Sequence, residues 1–253
     1  MALVVVDLAG RNRPQTLGDK LYDMLIMDTF SQRIFIKLLR NKSDAVDILM
    51  RWIPRVEVET GKKVKVFSDN GGEFISDAFS DWLSLRGTTQ QTTPIYSPQS
   101  NSFAERGNRT IRRPDKARTM MLESGLPGSL WGEVMLTACV LRNLTPTSSL
   151  LVTPLQMWSG KKSTVVHLRA VGWKVFCPYD EKERKGKFGA KAWVGVMVGY
   201  SIDTNGSKCG TRRRTRCGMC EGQRSTRLQV EAGGGSQQQR RGQCGRMKHP
   251  EGC

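Results

Sequence analysis

An α/β fold around a mixed sheet is predicted from three observations. Residues 2–8 form a nearly continuous apolar run broken by Asp7, and Lys63 to Asp69 makes a second strand-like run ending on an aspartate. Leu21 to Asp28 and Arg33 to Leu39 are apolar stretches separated only by Thr29 to Gln32, which suits a hairpin turn. Segments with helical spacing alternate with these strands. Because a hairpin precedes the first helix, the sheet is expected to be mixed rather than wholly parallel.

The elements follow in order. Ser43 resembles an N-cap, and Ala45, Val46, Ile48, Leu49, Trp52 and Ile53 follow at helical spacing. Pro54 is expected to end or kink that helix. Ile75 to Leu85 is amphipathic, with Ile75, Ala78, Phe79, Trp82 and Leu83 on one face and Gly87 as terminator. Thr88 to Thr92 is β-prone, and Thr93 to Gln99, with two prolines, is a loop. Ser100 to Leu122 reads as a long helix containing Gly107 and Pro114, and Leu126 to Leu144 as another. Pro146 and its Thr/Ser neighbours mark a linker. These signals divide the chain into a core at 1–146, a small basic β-rich unit at 147–201 and a basic low-complexity tail at 202–253.

Composition supports that division. All 18 aromatic residues of the 253-residue chain lie at or before Tyr200. From Ser201 onward there are 11 Lys/Arg against 4 Asp/Glu, and the rest of the chain carries 29 against 19. A segment without aromatics cannot bury enough apolar surface to offset its ordering entropy, so the tail is expected to be disordered, or the product of a shifted reading frame. The net charge of +17 favours an anionic partner, nucleic acid or an anionic membrane surface. No run of about 18 apolar residues is present, which argues against a spanning helix. Met1 to Val6 lacks the basic flank and length of a signal peptide, so nuclear or cytoplasmic residence is expected.

Cys139 and Cys177 read as buried free thiols. Cys217, Cys220, Cys244 and His249 have the residue types of a zinc site, but without a regularly spaced second pair or an apolar surround. With His167 and His249 as the only histidines, a histidine-based hydrolase is disfavoured.

Three carboxylates stand out by context. Asp7 interrupts an apolar strand, where a charge is costly unless paired or bound to metal. Asp69 ends another strand before Asn70-Gly71-Gly72, which also suits a simple turn residue. Glu105 lies near a helix start, where it would also complement the macrodipole.

In combination these segments resemble the integrase of copia-type long-terminal-repeat retrotransposons. Ser68-Asp69-Asn70-Gly71-Gly72-Glu73-Phe74 is similar to the second catalytic motif of that family. The run from Ser97 to Thr110, containing Asn101, Ala104-Glu105-Arg106 and Asn108-Arg109, is similar to the third. Thirty-five residues separate Asp69 from Glu105, the spacing of the Asp-Asp-Glu signature. Leu126-Pro127, Trp131-Gly132-Glu133, Thr153-Pro154, Trp158-Ser159-Gly160, His167-Leu168-Arg169 and Gly199-Tyr200 extend the resemblance over about residues 3–201.

The resemblance implies a ribonuclease-H-like fold: a five-stranded mixed sheet with flanking helices, here followed by the small basic unit. It implies a piece of a Pol polyprotein whose catalytic and metal residues are Asp7, Asp69 and Glu105, with Asp28 as the rival to Asp7. Two Mg²⁺ (or Mn²⁺) ions would be held by these carboxylates, since Mg²⁺ prefers carboxylate oxygen. The expected activity is 3′-end processing and strand transfer on double-stranded DNA by a homo-multimer. Asn101, Glu105, Arg109 and Arg112 share a helix face, and Arg106, Arg113 and Lys116 add charge; the six other than Glu105 are the DNA-binding candidates. Gly107, Pro114 and the divergent tail point instead to a catalytically inactive DNA-binding relic. A ribonuclease-H-like nuclease without strand transfer is the third reading.

Overall fold

A computed structural model describes residues 2–68, 74, 76–88, 90–92, 115–147, 150–179, 186, 188–200, 207–211 and 214–217. Five strands form the first sheet: β1 (Ala2–Ala9), β2 (Tyr22–Asp28), β3 (Ile34–Leu39), β4 (Val64–Ser68) and β5 (Gln90–Thr92), in the order β3-β2-β1-β4-β5. The β1–β2 and β2–β3 pairs are antiparallel, and the β1–β4 and β4–β5 pairs are parallel. The expected α/β class with a mixed sheet is therefore observed, and the Asp7 strand lies at its centre.

Side chains alternate between the two faces of the sheet. Val4, Val6, Met24, Ile26, Phe35 and Leu39 face α1 (Asp44–Thr60) and α2 (Asp77–Leu85), where Leu49, Ile53, Phe79 and Leu83 complete a buried cluster. The other face carries Leu25, Met27, Ile34 and Ile36. These pack against Cys139, Met135 and Leu136 of α4 (Trp131–Leu144), which follows a 3₁₀ turn at Gly128–Leu130. Each fully buried Leu or Ile contributes about 1.5–3 kcal/mol of transfer free energy.

Two expectations for α1, an end at Pro54 and a side-chain cap by Ser43, are corrected. The helix runs through Pro54 to Thr60 and closes at Gly61, whose φ is 66° and whose N–H donates to Glu57 O at 2.8 Å. An internal proline costs about 3 kcal/mol, but Ile53 and Val56 lie on either side of it and are buried, so packing holds the later turns. Ser43 is itself helical and makes no side-chain cap. Asp44 Oδ2 instead accepts the Asn41 N–H at 3.1 Å, which fastens the turn leading into the helix. Helix α2 is capped as N-caps usually are, Ser76 Oγ accepting the Phe79 N–H. Of its expected apolar face, Phe79 and Leu83 are buried, Trp82 is half-buried and Ala78 is exposed.

In the stretch read as one long helix, the described part is α3 (Asp115–Ser124); residues 93–114 lie outside the described set. Beyond the core, α5 (Pro154–Ser159) is capped by Thr153 Oγ1, which accepts the Gln156 N–H at 3.1 Å. A second sheet, entirely antiparallel, has the order β6 (Lys174–Pro178), β7 (Ala192–Tyr200), β8 (Ser207–Thr211) and β9 (Arg214–Cys217). Two of these strands lie in the segment expected to be a disordered tail. Backbone pairing to β7 and the ion pair of Lys208 with Glu133 on α4, at 2.9 Å, supply what aromatic burial does not.

Candidate catalytic and nucleic-acid site

Asp7 is half-buried near the C-terminal end of β1, directly opposite Leu25. Facing residues of an antiparallel pair share a sheet face, so Asp7 lies on the α4 face with Leu25 and Ile36. The parallel register pairs Val6 with Ser68, the last residue of β4, while β1 continues to Ala9. Asp7 and Asp69 are the residues that follow these two partners in sequence.

Asp28 is placed differently. It pairs with Val4 on the α1 face and lies toward the opposite end of β1. Its Oδ2 accepts the Ser31 N–H at 2.8 Å and the Ser31 hydroxyl at 2.6 Å, closing the β2–β3 turn. The two rival aspartates therefore occupy opposite faces.

Of the other site residues read from the sequence, Asp69, Asn101, Glu105, Arg106, Arg109, Arg112 and Arg113 lie outside the described residues, as does Pro114. Lys116 is exposed in the first turn of α3. Among the described residues no group of three or more His, Cys, Asp or Glu could hold a metal ion.

Several motif residues turn out to be structural. Trp131 Nε1 donates to Pro14 O at 2.8 Å, fastening the β1–β2 loop to the start of α4. A Cβ on Gly132 would lie 2.7 Å from Leu38 Cδ1 and 2.9 Å from Thr16 Cγ2, so glycine lets α4 sit against these side chains without displacing them. Gly199 has the same role between β7 and α4, where a Cβ would lie 2.5 Å from Thr137 Oγ1. The Tyr200 hydroxyl donates to Arg169 O at 2.6 Å and accepts the Arg169 N–H; burial pushes its phenol above the ordinary value. Trp158 of α5 sits with Phe35 at a ring separation of 5.4 Å, donates to Glu59 Oε1 at 2.8 Å and shares the Arg33 guanidinium. These contacts fasten the post-core elements to the core.

Sequence reasoning missed two polar devices. Asn143 of α4 accepts the Ile34 N–H at 2.9 Å and donates to Ile34 O at 2.7 Å, acting as a strand partner for the edge strand β3. Glu57 of α1 accepts the Val64 N–H at 3.1 Å and pairs with Arg86 and Lys63. Burial alone would raise its carboxyl, but the Val64 N–H and the Arg86 guanidinium outweigh this and hold it below the ordinary value. The Cys139 thiol is pushed up to about 12 by burial, which makes it an inert core residue and not a nucleophile.

No protein-family model matches the chain. It is 33% identical over 206 residues to the retrovirus-related Pol polyprotein from transposon TNT 1-94 of Nicotiana tabacum, covering 81% of this chain and 15% of that polyprotein. It is 26% identical over 190 residues to the Pol polyprotein from transposon RE2 of Arabidopsis thaliana, covering 74% and 13%. The chain thus spans about one seventh of the curated relatives it matches. Among solved structures, a chain of the simian T-cell lymphotropic virus intasome in complex with PP2A regulatory subunit B56 gamma is similar in fold. Its TM-score is 0.51 at 14% identity, covering 86% of this chain and 78% of that one. The catalytic core domain of BIV integrase also matches, with a TM-score of 0.46 at 18% identity, covering 62% and 92%.

Proposed function

For a chain that belongs to the copia-type retrotransposon Pol polyproteins, we propose the role of integrase catalytic domain, with Asp7, Asp69 and Glu105 as its metal-binding carboxylates. The observation that carries this reading is the β1–β4 register. Neighbouring strands lie about 4.8 Å apart, and Asp7 and Asp69 each follow one member of the paired couple Val6 and Ser68. Asp28, on the other face and engaged by Ser31, serves the β2–β3 turn instead.

The donor set fits a hard cation, because it consists of carboxylates without histidine or cysteine. Asp7, Asp69 and Glu105 would hold two Mg²⁺ or Mn²⁺ ions, which when bound neutralise phosphoryl charge and stabilise the attacking and leaving oxygens. Asn101, Arg106, Arg109, Arg112, Arg113 and Lys116 bind the DNA backbone beside that site. Water is the nucleophile in 3′-end trimming, and the exposed 3′-hydroxyl is the nucleophile in joining to target DNA. Double-stranded DNA is the partner, and further copies of the chain complete the assembly. Such an enzyme works where element and target DNA meet, in the nucleus after passage through the cytoplasm.

Pro114 and Gly107 favour a second reading, a DNA-binding relic with weakened strand transfer. The two are separated by a strand-transfer assay on duplexes that mimic element ends. The native chain should join poorly, Pro114→Leu should join better, and Pro114→Leu with Asp69→Asn should not join at all. Joining that survives Asp69→Asn would overturn the carboxylate mechanism. Efficient joining by the native chain would exclude the relic.

A further inference from the structure

The loop between β1 and β2 leaves the strand that carries Asp7 and is held by hydrogen bonds at several points along its length. Gly10 turns at φ +117°, where a Cβ would lie 2.7 Å from Leu21 O. The Asn12 N–H then donates to Leu21 O at 2.7 Å, and Asn12 Nδ2 donates to Asp23 Oδ1 at 2.9 Å. Asp23 is buried opposite Ala9, on the same sheet face as Asp7. Farther along, Trp131 holds Pro14, and Thr16 closes a turn by bonding to Lys20 at both its N–H and its hydroxyl.

Arg11 and Arg13 flank the pinned Asn12, and both are exposed. Their charges are unspent. Arg33 pairs with Glu59, Arg40 with Asp19 and Arg86 with Glu57, but neither Arg11 nor Arg13 has an acidic partner among the described residues. At about 3.5 Å per residue, Arg11 lies no more than about 14 Å along the chain from Asp7, and Arg13 no more than about 21 Å. With one phosphate per about 3.4 Å of axis on each strand, these bounds keep Arg11 within about four and Arg13 within about six nucleotides of a reacting phosphate.

We infer that the β1–β2 loop is a DNA-backbone clamp, with Arg11 and Arg13 each meeting a phosphate of duplex DNA that flanks the Asp7 site. The inference rests on the integrase reading. Because the backbone carrying the two guanidinium groups is already ordered, binding costs the entropy of their side chains but not that of the loop. They neutralise backbone charge without reading bases, so their contribution is independent of sequence and sensitive to salt.

The test is fluorescence anisotropy with the full chain and a labelled 30-base-pair duplex, across about 50–200 mM salt. Arg11→Ala and Arg13→Ala should each reduce the slope of log affinity against log salt by about 1, and the double variant by about 2. Lys62→Ala, at the opposite end of the sheet, should leave the slope unchanged. Both arginines are exposed, so the melting temperature should not move. A double variant with the native slope would overturn the clamp while leaving the integrase reading in place. A native chain that binds no duplex at any salt would overturn the integrase reading, and the clamp with it.

Discussion

On the α1 face of the five-stranded sheet, Val4, Val6, Met24 and Ile26 meet Leu49, Ile53 and Phe79 in one apolar cluster. The α4 face is built from the same strands, yet its apolar cluster is smaller, and Asp7, Asp23 and Asn143 stand among or beside it. The difference lies in what each face asks of its neighbours. Apolar contacts on the α1 face are non-directional and tolerate many combinations of side chains. Polar groups on the α4 face must each meet a partner, so they fix positions: Asn143 fixes the edge strand and Asn12 with Asp23 fixes the loop beyond Asp7. One face carries the larger apolar cluster, and the other carries Asp7, the carboxylate proposed to bind metal.

The largest effect should come from opening the apolar face. Leu49→Ala removes a fully buried side chain and should cost about 2–5 kcal/mol in urea unfolding. DNA binding per folded molecule should stay unchanged. A comparable loss of DNA binding in the folded fraction would show that the two faces are not separate in function.

A smaller effect should follow at Asn143. Asn143→Leu leaves the buried Ile34 N–H without its side-chain partner and the Ile34 C=O with only the Cys139 thiol, and should cost about 1–3 kcal/mol. Urea midpoints measure it directly. A neutral result would mean that α4 holds β3 by apolar contact alone.

The smallest concerns Glu57, whose carboxyl is held below its ordinary value in the folded chain. Its contribution is therefore present above the unfolded-state value near 4.5 and is lost as pH falls through the lower folded value. Glu57→Gln should lower stability at neutral pH by about 1 kcal/mol and flatten the acid limb of the stability curve. An unaltered acid limb would show that the Val64 and Arg86 contacts are not formed in solution.

Much of the frame was legible in the sequence. Apolar runs at β1 and β4, a turn between β2 and β3 read as Thr29 to Gln32 and observed over 29–33, and the amphipathic stripes of α1 and α2 all report local patterns that packing then reinforces. Pro54 misled because a local penalty of about 3 kcal/mol is smaller than the burial on either side of it. The β8–β9 hairpin was invisible because its ladder is made of backbone groups, and its residues carry neither aromatics nor a regular apolar alternation. For the site, sequence supplied two candidate aspartates but not their faces. A strand's period of two separates its faces only once the register with a neighbour is known. That register sets Asp7 opposite Leu25 and Asp28 opposite Val4. The clamp around Trp131 and Pro14 was equally unreadable, since those residues lie 117 positions apart.

Asp7, on the α4 face near the end of β1, is the proposed metal-binding carboxylate, and calorimetric titration with Mn²⁺ distinguishes it from Asp28. The native chain should bind Mn²⁺ weakly. Asp7→Asn should abolish binding in the folded chain. Asp28→Asn should retain binding while losing stability, because it removes the charge that Ser31 bonds to. Retained binding in Asp7→Asn together with lost binding in folded Asp28→Asn would contradict the account.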